Sequence, residues 1–308
     1  MVKDLNVVIV GGGQLAKALK YFIYTKATIL DYPTIDLSSE SSVRAAFFKI
    51  PRMDVLINAA AWTDVNAAEI KSNKKRVYAV NASGVGYLAD AANRFDATFV
   101  HISSDYVFDG KNHSHLETES INPLNEYGKS KAKGERLAKK AKKYYLIRTS
   151  WLIGDNFPSI SSPNFVKTMF NLAVQGKSVK VVNDQFGRLT FTSELARAIK
   201  YLIDIKAPFG IYNVSNSGAV MAWSDIANKV FKTVKQHEIV DNVGDVTGVT
   251  AAQYEQEFPP AVPIKRPKYS DFNLEKLEST GFIPLDHEDL LYHYVVKLIE
   301  EYRVGELR

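Results

Sequence analysis

Tyr127 and Lys131 stand four residues apart in NEYGKSKAKGE, and Ser104 ends the upstream run ATFVHISS. On a helix, positions i and i+4 share a face, so the phenol and the ammonium lie side by side. A neighbouring cation favours the phenolate and lowers the tyrosine pKa, which suits a proton donor working near neutral pH. Ketone reduction has this requirement: hydride reaching a carbonyl carbon leaves an alkoxide-like oxygen that needs a hydrogen-bond donor and a proton at one point. The Ser104 hydroxyl supplies the first and Tyr127 the second. Taken singly, Tyr-x-x-x-Lys also fits a solvated helix face and a strand-end serine also fits a loop cap. The combination carries the catalytic reading.

A second constellation lies at the start. VVIVGGGQLAKAL places Gly11, Gly13 and Ala16 as G-x-G-x-x-A directly after an apolar run and into a helix opened by Gln14 and Leu15. Gly11 permits the tight turn, Gly13 lets the backbone approach a pyrophosphate, and Ala16 permits close helix–strand packing. The helix N-terminus adds N–H donors for that anion. Asp31, about twenty residues after Gly11, is placed to accept from an adenosine ribose 2′-hydroxyl. Its charge repels a 2′-phosphate and Tyr32 follows it, so NADH is favoured over NADPH unless Lys26 or Arg44 folds nearby. A turn acid is the alternative for Asp31. Asp36, with Leu37 after it, is either an N-cap or an adenine-edge contact.

These residues need elements to position them. Strand-length apolar runs at 5–10, 27–31, 54–60, 97–104 and 144–154 alternate with helical periodicity at 14–24, 39–48 and 73–95 and with a basic helix over 129–143. Such alternation predicts an α/β fold, a Rossmann-like doubly wound parallel sheet with ligands at the carboxyl ends of its strands. Asn58, Ser104 and Trp151 fall just after such ends. Residues 1–155 are expected to form the dinucleotide-binding domain, with a return segment near 178–215. Residues 156–308 are expected to form mainly a smaller substrate-binding cap, with a Ser/Pro-containing loop over 155–163 and helices at 164–174, 193–203, 223–235, 273–279 and 287–302.

Composition removes other classes. Without cysteine there is no disulfide, no catalytic thiolate and no Cys-ligated metal, and six scattered His show no ligand spacing, so no metal is expected. No run is long and apolar enough for a membrane span, and MVKDLNVVIVGGG lacks the layout of a signal peptide, which points to the cytoplasm. The net charge of +5 resides largely in KSKAKGERLAKKAKK, a solvated helix face rather than a nucleic-acid interface, because aromatic or recognition elements are not interleaved with it. An anionic ligand remains compatible with that charge.

Read together, GGGQLA, ILDYPTIDL, DVLINAAAWTDVNAAE, HISSDYVFDG, PLNEYGKSKAKGE, IRTSWLIG and VVNDQFGRLTFTSELA resemble, in order, the landmarks of dTDP-4-dehydrorhamnose reductases, a family of extended short-chain dehydrogenases/reductases. KRPKYSDFNLEKLE resembles the C-terminal Arg-Pro segment of that family. The resemblance implies NADH- or NADPH-dependent reduction of the 4-keto group of dTDP-4-dehydro-6-deoxy-L-mannose to dTDP-L-rhamnose, and a homodimer is compatible with it. It implies that Ser104, Tyr127 and Lys131 are catalytic, Lys131 also binding the nicotinamide ribose. Ala59 and Ala60 then flank the cofactor, and Thr63, Val65, Tyr106 and Trp151 wall the sugar and nucleotide pocket. Asn164, Gln185 and Arg188 face the nucleotide diphosphate. For the aromatics, simple core packing stays open.

The chain departs from the family pattern in three places. Its glycine loop is one residue shorter and ends in Ala16, Leu189 stands where proline is common, and Arg188 replaces a small residue. A sugar-nucleotide epimerase or dehydratase would use the same Tyr/Lys pair, but a dehydratase needs an acid/base pair, and no Glu accompanies Asp105. A non-catalytic regulatory subunit would not need the intact Ser104, Tyr127 and Lys131.

Overall fold

In the computed structural model, residues 5–154 and 164–305 are described, so the loop expected over 155–163 lies outside the described residues. Five strands, β1 (Val7–Val10), β2 (Thr28–Leu30), β3 (Val55–Asn58), β4 (Thr98–Ser104) and β5 (Tyr144–Thr149), join the later strand Gly210–Asn213 in one sheet. Every pairing in it is parallel, and the spatial order is Gly210–Asn213, β5, β4, β3, β1, β2. The order reverses beside β1, which is where a doubly wound sheet opens a ligand crevice.

The sequence of β1 explains its place. All four residues are at most 5 % exposed. Val7 and Ile9 point to a core shared with α1 (Gln14–Ala18) and α8 (Thr192–Asp204). Val8 and Val10 point to the opposite core, shared with α2 (Glu40–Phe48) and α5 (Gly84–Arg94). A period of two with both faces apolar is what a central parallel strand requires. Each such side chain contributes about 1.5–3 kcal/mol on leaving water.

The remaining helices are α3 (Val65–Glu69), α4 (Lys74–Tyr78), α6 (Glu126–Ala138), α7 (Phe165–Val174), α9 (Trp223–Gln236), α10 (Ala251–Glu257), α11 (Glu275–Glu278) and α12 (His287–Arg303). A further core, including Phe170, Phe191, Ile226, Val230, Val295 and Leu298, ties α7, α9 and α12 together. Beside it Val179–Val182 pairs in parallel with Val246–Val249, a pairing that periodicity does not reveal because the second partner, VTGV, has only two apolar residues and no buried face.

The helix expected over 73–95 is divided by a π-helical turn at Ala79–Ser83. That turn presents Asn81, which bonds the Trp62 backbone and Ser130 of α6. The basic helix is also shifted: α6 begins at Glu126 and stops at Ala138, before the last lysines. Asn125 caps it, its Oδ1 accepting from Gly128 N at 2.8 Å, and Glu126 places an acid in the first turn.

Candidate active site

Tyr127 sits in the first turn of α6 and Lys131 one turn further, so the N-cap fixes where both emerge. The helix comes unusually close to the loop after β4, since a Cβ at Gly128 would lie 2.1 Å from the Tyr106 carbonyl oxygen. That closeness brings Ser104, at the end of β4, and Tyr127 and Lys131, on α6, to one cleft with a cavity volume of about 950 Å³. Such a volume is at the upper end for ligand sites, as two nucleotide-sized molecules require.

The three side chains are buried, Lys131 being 3 % and Tyr127 9 % exposed. Lys131 Nζ donates to the Ile102 carbonyl of β4 at 2.6 Å, and burial lowers its pKa to about 8, against the pull of Glu135 one turn on. Glu135 is itself held by Arg148 at 2.9 Å and by Ser103 Oγ at 2.7 Å. Tyr127 differs from expectation. Burial raises the phenol above its ordinary pKa, and the Ser104 hydroxyl opposes the shift. A cation on the same helix face was expected to lower it, but Lys131 is turned to a backbone carbonyl and desolvation dominates. The phenol is therefore held in its protonated, proton-giving form.

The glycine loop forms the cofactor end of the cleft. Gly11 has φ +110° and a Cβ there would meet Ala60 N at 2.9 Å, whereas nothing lies within 4 Å of the Cβ position at Gly13. Gly13, Gln14, Leu15, Ala59 and Ala60 all line the cavity. Gly12, to which the motif gives no role, is the tightest of the three: its Cβ would fall 1.9 Å from Asp31 Oδ2. The exposed Asp31 carboxylate thus rests on the glycine turn, while Arg44 is paired with Glu40 at 2.8 Å on the outer face of α2. Asp36 is not an N-cap; Ser39 caps α2, and Asp36 accepts from Ser38 N and Oγ, which hold its carboxyl below the ordinary range. Leu37 is core, buried against Gly84. Thr149 Oγ1 and Ser150 Oγ line the cleft, buried and without a hydrogen-bond partner. These unused hydroxyls and the open space above Gly13 fit a bound dinucleotide.

At the other end, Thr63, Val65, Tyr106, Trp151 and Gln185 line the cavity. Trp151 has φ +45°, a costly conformation for a non-glycine residue, and is fixed by stacking on Trp223 with ring centroids 3.7 Å apart. Asn164 and Arg188 are not brought there. Asn164 caps α7 and donates to Tyr294 Oη at 2.9 Å, and Arg188 donates to the Gly218 and Phe272 carbonyls. The cavity-lining cations of this end are instead Lys180 and Arg266. Arg266 bonds two neutral oxygens, Tyr106 Oη at 2.8 Å and Asn66 Oδ1 at 2.6 Å. KRPKYSDF stands out in the sequence as a landmark but gives Arg266 no role, because a contact across 160 residues leaves no local periodicity.

The chain matches the model of the family described as RmlD substrate binding domain over residues 5–299. It is 35 % identical over 292 residues to a dTDP-4-dehydrorhamnose reductase of Aggregatibacter actinomycetemcomitans, covering 91 % of this chain and 94 % of the relative. The spore coat polysaccharide biosynthesis protein SpsK of Bacillus subtilis is 33 % identical, with 92 % and 93 % covered. A crystal structure of dTDP-4-dehydrorhamnose reductase from Bacillus anthracis, in complex with NADP, superposes with a TM-score of 0.83 at 32 % identity, covering 95 % of this chain and 99 % of that one.

Proposed function

The chain belongs to the RmlD substrate binding domain family, and from that premise we infer that it is a dTDP-4-dehydrorhamnose reductase, an NAD(P)H-dependent oxidoreductase of nucleotide-sugar biosynthesis. It reduces the 4-keto group of dTDP-4-dehydro-6-deoxy-L-mannose, giving dTDP-L-rhamnose. The observation that carries the reading is the convergence of Ser104, Tyr127 and Lys131 on one cleft whose far wall is the glycine turn.

When bound, the reduced nicotinamide supplies a hydride to the carbonyl carbon. Tyr127 gives its phenol proton to the carbonyl oxygen as negative charge develops there, and Ser104 hydrogen-bonds the same oxygen. An alkoxide is far more basic than a phenolate, so a donor with a raised pKa still transfers its proton and is fully loaded at neutral pH. Lys131 places an ammonium beside the ribose and the phenolate that remains. Gly13, Gln14 and Leu15 would hold the pyrophosphate at the start of α1, Ala59 and Ala60 would flank the cofactor, and Thr149 and Ser150 would offer it their unused hydroxyls. The sugar lies against Val65, Thr63 and Trp151, and the diphosphate against Arg266, Lys180 and Gln185. On this reading the six-stranded sheet carries the cofactor, residues 63–151 wall the sugar, and the segment after residue 164 supplies the diphosphate contacts. Among the described residues no helix is long and apolar enough to cross a membrane, and the reading places the enzyme in the cytoplasm, a homodimer being compatible with it.

Incubating the purified protein with dTDP-4-dehydro-6-deoxy-L-mannose and following NADH or NADPH oxidation, with dTDP-L-rhamnose identified by mass and retention, tests the assignment. No substrate-dependent oxidation with either cofactor removes it.

Two variants test the cofactor and substrate ends. The Asp31 carboxylate favours NADH, so Asp31→Ala shifts the ratio of kcat/KM toward NADPH by about tenfold, which takes only about 1.4 kcal/mol. An unchanged ratio makes Asp31 a turn acid. Arg266→Ala raises KM for the nucleotide sugar roughly tenfold or more, the scale of one lost charge-assisted bond, and leaves cofactor KM alone. A cofactor effect instead would move Arg266 out of the diphosphate site.

A further inference from the structure

Asp105 follows Ser104 in the chain, is 3 % exposed, and reaches the same cleft. Its two carboxyl oxygens are both engaged by serines. Oδ1 lies 2.8 Å from Ser104 Oγ, and Oδ2 lies 2.5 Å from Ser270 Oγ on the C-terminal segment. Ser104 Oγ meanwhile accepts from Tyr106 N at 3.2 Å.

A hydroxyl has one proton and two lone pairs. If Asp105 is ionised, the Ser104 proton is spent on the carboxylate and none points at a carbonyl oxygen in the cleft. If Asp105 is protonated, it donates to Ser104 Oγ, Tyr106 N donates to the second lone pair, and the serine proton points into the cleft, toward the Tyr127 oxygen when the site is empty and toward the ketone when substrate is bound. We propose that Asp105 is a positioning residue which, as a neutral carboxylic acid donating to Ser104, turns the serine hydroxyl toward the carbonyl oxygen. Ser270, fixed by its backbone N–H to the Phe186 carbonyl, holds the other carboxyl oxygen.

The surroundings favour the neutral form. Burial raises the Asp105 pKa, and the two serine hydroxyls and a backbone N–H offset this only in part. The ionisable groups that face it are His115, Tyr106 and Tyr127. His115 is committed through Nδ1 to Glu119 and through Nε2 to the Tyr269 carbonyl, and Arg266 is engaged by Tyr106 and Asn66. No ion pair to Asp105 occurs among those contacts. Substrate filling the cleft removes more water and pushes in the same direction.

The inference rests on the ketone-reductase reading, and substrate turnover by the wild type is the control that separates the two. If the wild type does not reduce the dTDP-4-keto sugar, the reading itself fails. Given turnover, Asp105→Asn and Asp105→Ala are compared. The amide still donates to Ser104 and accepts from Ser270, so Asp105→Asn keeps kcat within about tenfold of wild type, while Asp105→Ala loses about a hundredfold, the scale of a misdirected oxyanion donor. KM for the nucleotide sugar stays within about threefold in both. Equal losses in the two variants overturn the proposal. Independently of folding in the alanine variant, a carboxyl-13C aspartate-labelled wild type saturated with NADP⁺ and dTDP-L-rhamnose should show one resonance, absent in Asp105→Asn, that remains a carboxylic acid at pH 7. An ionised Asp105 in that complex also overturns it.

Discussion

Replacing Tyr127 by phenylalanine lowers kcat for the dTDP-4-keto sugar by about two to four orders of magnitude, the usual worth of a positioned proton donor, and leaves cofactor affinity within about twofold. The substitution is clean because the ring has its own reasons to stay. It lies in a small core with Ala68 and Val77 and meets the Tyr106 ring edge-on, the centroids 5.4 Å apart. The N-cap at Asn125 and the Ser130 bond to the Tyr127 carbonyl fix the backbone whatever the side chain. Only the phenol oxygen is removed. Stopped-flow measurement of cofactor oxidation on the variant, with fluorescence titration of NADPH, checks both halves; near-normal turnover would show that another group delivers the proton.

The sheet was legible because its strands are buried on both faces and leave continuous apolar runs, and because glycine, strand and acid recur at fixed spacing. The convergence of the proposed catalytic residues was legible for the same reason: Tyr127 and Lys131 are linked by helical periodicity, and Ser104 ends a strand. Residues whose place depends on contacts distant in sequence were not. Arg266 reaches Tyr106 across 160 residues, and Ser270 reaches Asp105 across 165. Asn164 and Arg188 show the converse. Their polarity and position suggested the diphosphate, but a helix cap and two carbonyls engage them. Gly12 escapes the fingerprint, which treats it as a spacer, although its missing Cβ is what lets Asp31 approach. Spacing gives the wrong direction for the Tyr127 shift because it tells which charges are near and not how little water reaches them.

Burial also governs Lys131, and there it sets catalysis against stability. Its pKa falls from 10.5 to about 8 on folding, with burial the principal cause. Between these values the unfolded chain binds more protons than the folded one, so stability rises with pH across that window; below pH 8 the cost of the buried ammonium is present in full. A shift of this size corresponds to about 3 kcal/mol, against which the bond to the Ile102 carbonyl returns about 1 kcal/mol. Lys131→Met keeps the stem and removes the charge, so at pH 7 it is more stable by about 2 kcal/mol and melts several degrees higher. The gain shrinks as pH rises toward 10.5, the ordinary lysine value. On the proposed mechanism the same change lowers activity by about a hundredfold or more and weakens cofactor binding about tenfold, because an ammonium would no longer stand beside ribose and phenolate. The residual activity should lack the decline expected of the wild type above about pH 8, where Lys131 loses its proton, so its optimum moves to higher pH. Calorimetry at pH 7 and pH 10 together with pH–rate profiles of both proteins tests the pair of effects. A variant that is less stable at pH 7 and keeps the wild-type profile would make Lys131 a structural lysine.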